Sequence, residues 1–130
     1  MQLSMSNPWQ WQNQLGYAQA VEVAQATHTL YCAGQTAMDA EGKPIVADMS
    51  GQISSRFDNL ETVLQQAGYS LSSVVRLNFY TTSIEQFFAA YSQVISRMST
   101  GSCMPASTLT EVRALAFPQL LIEIEATAVR

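Results

Sequence analysis

Apolar residues recur along this chain with periods that change several times, and each change marks a structural element. Tyr17–Val23 alternates loosely, and after the polar turn Gln25–Thr27 the run Thr29–Ala33 is β-branched, aromatic and apolar. These two runs predict a pair of strands joined as a hairpin. Gly34 and Gln35 end the second strand, and Asp39–Pro44 carries the breaker residues of an exposed loop. Between Asp48 and Ala67 the apolar residues Ile53, Phe57, Leu60, Val63, Leu64 and Ala67 fall at steps of three and four. That spacing predicts a helix with Asp48 as N-cap and Gly68 just past its end. Val74–Tyr80 has the composition and length of a strand, and Ile84–Met98 returns to helical spacing with Phe87, Phe88, Tyr91 and Met98 on one side. After the loop Ser99–Pro105, Ser107–Leu115 alternates, Pro118 interrupts, and Leu120–Val129 forms a long final strand. The predicted order is β-β-α-β-α-β-β.

This order predicts an α+β domain spanning residues 1–130, with a mixed five- to six-stranded sheet and two helices on one face. The other face must then be covered by something outside the chain. Period-two geometry in the last strand puts Ile122, Ile124, Ala126 and Ala128 on one side and Leu121, Glu123, Glu125 and Thr127 on the other, so the second face carries two acids.

Composition sharpens that expectation. Charged residues make up only 12%, roughly half the usual share, which suits a protein whose surface is partly covered by other subunits. Six Lys and Arg against ten Asp and Glu give a net charge of −4, and Lys43, Arg56, Arg76, Arg97, Arg113 and Arg130 are scattered singly, which argues against a nucleic-acid partner. Residues 1–14 lack the basic flank and apolar run of a signal peptide, and no window approaches the roughly 20 apolar residues of a membrane span, so a cytoplasmic protein without a membrane partner is expected. Cys32 and Cys103 are expected to be free thiols filling apolar space. The single histidine, His28, lies in a turn, no cysteine has ligand-like spacing, and no glycine-rich phosphate loop occurs, so neither metal nor cofactor is expected. What remains is acid–base chemistry from Glu111, Glu123 or Glu125, aided by hydroxyls of Tyr17, Ser107, Thr108 and Thr110.

Several stretches appear in a telling order: Gly16-Tyr17-x-Gln19-x-Val21, Cys32-Ala33-Gly34-Gln35, Asp58-Asn59-Leu60, Ala67-Gly68, Pro105-Ala106-Ser107-Thr108-x-x-Glu111-Val112, and Ile122-Glu123-Ile124-Glu125-Ala126-x-Ala128-Val129. In these the chain, from Gly16 to its end, resembles the Rid/YjgF family of reactive-intermediate imine deaminases, often labelled endoribonuclease L-PSP. The resemblance implies a chorismate-mutase-like fold that assembles as a homotrimer around an inner barrel, with small-molecule clefts at the subunit interfaces. It places Tyr17, Ala33 and Gly34 on the cleft wall beside Ser107, Thr108 and Leu109, with Glu123 as the catalytic group that positions or activates a water. It also implies an arginine after Pro-Ala, gripping the substrate carboxylate, and here that position is Ser107. A guanidinium makes a bidentate, charged clamp, whereas serine offers one neutral donor. Arg113 is six residues further along the strand, roughly 20 Å away at about 3.3 Å per residue, too far to substitute. Leu109 and Ala33 stand where the family commonly has cysteine and serine, which makes the expected pocket more apolar. The function implied is a deaminase-type hydrolase for imines, enamines or small carbonyl compounds, without arginine-dependent imino-acid deamination. A non-catalytic metabolite-binding or regulatory module is the alternative, and an endoribonuclease is the reading that acidity disfavours most.

Overall fold

In the computed structural model, which describes residues 1–130, the elements in chain order are β1 (Gln2–Ser6), β2 (Ala20–Ala24), β3 (Thr29–Gln35), α1 (Met49–Gln66), β4 (Val74–Thr81), α2 (Ile84–Ala89), α3 (Tyr91–Thr100), β5 (Ala106–Glu111) and β6 (Ile122–Val129). The apolar stripe read from the sequence is the buried face of α1, where Ile53, Phe57, Leu60 and Leu64 are wholly covered. Asp48 caps it by accepting the Gly51 N–H at 2.9 Å, and Gly68, at φ +84°, turns the chain away in the left-handed region that a side chain would resist.

Six strands are present, but four form the main sheet, in the order β3-β6-β4-β5, and β1 and β2 form a separate ribbon. β6 runs antiparallel to both of its neighbours and β4 is parallel to β5, so the sheet is mixed as expected. All three helices cover one face. The core between them joins the α1 stripe to Leu77 and Phe79 of β4 and Ile122, Ile124 and Ala126 of β6. Each fully buried aliphatic or aromatic side chain there contributes about 1.5–3 kcal/mol.

The expected hairpin between Tyr17–Val23 and Thr29–Ala33 does not form. β2 pairs instead with the unanticipated β1, from Gln2 opposite Ala24 to Ser6 opposite Ala20, while β3 pairs with β6. The polar turn redirects the chain: Gln25 adopts φ +62°, and the Thr27 and His28 N–H groups donate to the Arg130 carbonyl at the end of β6. The expected helix Ile84–Met98 is broken at Ala90, which leaves helical geometry at φ −109° and ψ 9°, into α2 and α3; one such residue leaves the three-and-four spacing intact, so the pattern does not show the break. β5 stops at Glu111 rather than Leu115 because its partner β4 ends at Thr81, which pairs with Glu111 and accepts a last bond from the Val112 N–H; the Glu111 carboxylate accepts the Ile84 N–H at 2.9 Å at the start of α2.

Candidate functional site

Tyr17 is brought to β5 by a local device. Gly16, at φ +81°, ends a 3-10 turn over Trp11–Leu15, after which the Ala18 N–H donates to the Pro105 carbonyl at 2.9 Å and Ala18 bridges Ala106 in parallel. Ser107 and Leu109 pair with Leu77 and Phe79 across the parallel ladder and so face the helices. Together with Tyr17 and the rings of Phe79, Phe87, Phe88 and Tyr91 they line a cavity of about 140 Å³. The rings pack in tilted and edge-on pairs, with centroids 5.5 Å apart for Phe79 and Phe87 and 5.4 Å for Phe87 and Tyr91. The Tyr91 hydroxyl donates to the Leu15 carbonyl at 2.6 Å, and burial pushes its pKa up to about 12. No charged side chain lines this cavity.

Glu123 lies elsewhere. It is opposite Tyr80 in the β4–β6 ladder, on the face that no helix covers. A bulge in β3 sets Ala33 and Gly34 against Glu125 between the Cys32–Ala126 and Gln35–Ile124 pairs, and the Glu123 carboxylate folds over Gly34. A Cβ at Gly34 would stand 2.5 Å from the Glu123 carboxylate, so only glycine admits this approach. On the same face Glu125 accepts from Asn78 at 2.9 Å and from the Tyr80 hydroxyl at 2.6 Å, while Arg76 donates to Thr108 at 3.1 Å. The Tyr80 bond, then the Asn78 bond, hold the Glu125 carboxyl below its usual range, and the bond to Glu125 raises Tyr80.

The predicted site residues therefore fall into two groups. Tyr17, Ser107 and Leu109 share the aromatic cavity, and Glu123, Ala33, Gly34 and Thr108 share the open face. β4 separates β5 from β6, which sets Ser107 about 10 Å from the Glu123 strand and on the opposite side of the sheet. Of the three candidate acids, Glu111 caps a helix and Glu125 is held by two neighbours, whereas the Glu123 carboxylate has no hydrogen-bonding partner in the chain. Sequence reasoning missed Arg76, Asn78 and Tyr80, although their alternation with Leu77 and Phe79 places them beside the acids of β6. It also missed Arg56, which sits wholly buried on the α1 stripe, three residues after Ile53 and four before Leu60.

Residues 11–130 match the profile of the Endoribonuclease L-PSP family. A RutC family protein of Pyrococcus horikoshii is 33% identical over 113 residues, covering 86% of this chain and 85% of that one. The crystal structure of YyfB from Yersinia pestis, described as a protein of unknown function in the conserved Rid family, superposes with a TM-score of 0.87 at 34% identity over the whole of both chains. Escherichia coli YjgF shares the fold at a TM-score of 0.72 and 23% identity, over 88% of this chain and 87% of its own.

Proposed function

This chain belongs to the Endoribonuclease L-PSP, or Rid/YjgF, family, and from that premise we propose that it is a small-molecule protein whose cleft is completed by a neighbouring copy, acting on imines, enamines or small carbonyl compounds. One observation carries this reading: the aromatic cavity with Ser107 and the acid Glu123 lie on opposite faces of one sheet. A single chain cannot present both to one small ligand, whereas a homotrimer that packs open faces against its neighbours brings the acid of one copy to the cavity of the next. Low charge content and Tyr31, 80% exposed on the open face, support such burial.

In this reading the cavity binds the apolar part of the ligand, and Glu123, without a hydrogen-bonding partner in the chain, orients a water for attack on the C=N carbon and takes its proton; the C=N π pair moves to nitrogen, Glu123 returns the proton there, and the C–N bond then breaks to leave ammonia and the carbonyl product. The cavity side has a serine hydroxyl and no cation, so ligands without a carboxylate are preferred. RNA cleavage is opposed by the net charge of −4.

Light scattering is expected to give three times the 14.3 kDa chain mass, and a stable monomer at micromolar concentration overturns the shared cleft. Ammonia release from imines generated in situ is expected to be faster for neutral aryl or branched alkyl imines than for 2-imino acids, and to vanish in Glu123→Ala. Robust hydrolysis of 2-imino acids would show that another group does the work of an arginine clamp. Binding of neutral analogues without turnover would mark the protein as a metabolite-binding module.

A further inference from the structure

Arg56 is the most anomalous side chain in the molecule. It is fully buried, and none of its three guanidinium nitrogens has a hydrogen-bonding partner. Both ion pairs in the chain belong to Arg97, with Asp58 and Glu61. The Phe57 ring, 6.0 Å from the Arg56 Cζ, offers only a weak quadrupole. Burial lowers the Arg56 pKa to about 9, which leaves the group cationic at neutral pH, and the one acid whose field reaches it and pulls the other way is Glu123. A lone buried charge is strongly unfavourable unless something compensates it.

The backbone carries Arg56 to the junction where Glu123 sits. One turn before Arg56, Gln52 donates to the Gln119 carbonyl at 2.8 Å and accepts the Leu121 N–H at 2.8 Å, two residues ahead of Glu123. Three residues after Arg56, Asn59 donates to the Thr36 and Met38 carbonyls at 3.0 and 3.1 Å, just past Gly34. Gln35 and Ile124 are register partners, so these two clips fasten α1 to adjoining strand ends and seat Arg56 between them. The Glu123 carboxylate rests on the bare α-carbon of Gly34 at that same junction.

We infer that Arg56 is a positioning residue of the Glu123 site, its buried guanidinium being the counter-charge that fixes the Glu123 carboxylate over Gly34. The inference rests on the role proposed above for Glu123, and it adds a cation supplied from beneath the sheet by α1 rather than from β5. A carboxylate held in this way is oriented, which a group that aims a water requires.

A double-mutant cycle tests it without any activity assay. Unfolding of wild type, Arg56→Met, Glu123→Gln and the double variant is measured by denaturant at one protomer concentration. Glu123→Gln is expected to destabilise the wild-type background and to be neutral or stabilising in the Arg56→Met background, with a coupling of about tenfold or more in the unfolding equilibrium constant. Additivity within about twofold overturns the inference. Arg56→Lys, which keeps the charge, is expected to retain part of the coupling. A second readout needs no Arg56 variant: in ¹⁵N-labelled protein the Arg56 Nε–H resonance is expected to move with Glu123→Gln and to stay still with Glu125→Gln, and a resonance indifferent to Glu123 overturns the proposal. If imine hydrolysis is observed, Arg56→Met should lower kcat more than it changes KM. Absence of turnover in wild type would remove the proposed reaction while leaving the charge coupling standing.

Discussion

The helix-side cavity and the open sheet face are built on one sheet yet obey different physics. The cavity is walled by aromatic rings that also form the core, so Phe79 and Phe87 serve stability and shape together. The open face holds Arg76, Asn78, Tyr80, Thr108, Glu123 and Glu125, most of them joined by side-chain hydrogen bonds and contributing little to the apolar core. The contrast teaches that in this fold the binding wall cannot be altered without touching the core, whereas the acid side, apart from Glu123, can be altered at little cost to it.

Four substitutions probe that contrast. Phe87→Ala should lower the unfolding free energy by about 3–5 kcal/mol, because it empties the centre of the aromatic cluster; chemical denaturation reads this directly, and a loss under about 1 kcal/mol would mean the rings are not part of the core. Ser107→Arg places a guanidinium at the cavity wall and should raise benzoate affinity roughly tenfold to a hundredfold by calorimetry. Unchanged affinity would remove Ser107 from the ligand's reach. Gly34→Ala pushes the Glu123 carboxylate off its seat, and since that flexible carboxylate keeps only part of its pairing with Arg56, stability should fall by no more than about 1.5 kcal/mol. Any turnover dependent on Glu123 should nonetheless fall at least about tenfold, and a variant that keeps full activity would show that the seat is unimportant.

The smallest effect concerns pH. The folded pKa of Glu125 lies below its usual 4.5, so its contribution to stability is present above that value and is lost as pH falls through the lowered folded value. Because Glu125 is only partly covered and its charge is screened by solvent, this contribution is about a few tenths of a kcal/mol at most. Urea midpoints measured from neutral pH down to about pH 3 should fall slightly less steeply in Glu125→Gln, and identical slopes would show that the Tyr80 and Asn78 bonds carry no net preference for the ionised form.

Much of this architecture was legible in the sequence. The α1 stripe with its Asp48 cap, the alternation of β6 and the punctuation by Gly68 were readable because local rules and tertiary packing agree there. β1 was not, since Gln2–Ser6 has no β-branched or aromatic residue and becomes a strand only by pairing with β2. The division of the candidate site between two faces was hidden because Ser107, in β5, and Glu123, in β6, each obey period two, and their relative sides depend on strand order, which no local pattern encodes. Arg56 escaped notice because a lone basic residue on a helix is ordinarily a solvated one.

β6 lies between β3 and β4 although it is the last strand in chain order, so the strands that will flank it are synthesised well before it. On the ribosome, β3 and β4 must therefore wait with open edges until Ile122–Val129 emerges to zip them together, and the sheet completes in one late step rather than by stepwise accretion. Any stall in translation ahead of this strand would leave a nascent chain with two unpaired edges, the surface that chaperones and self-association both recognise.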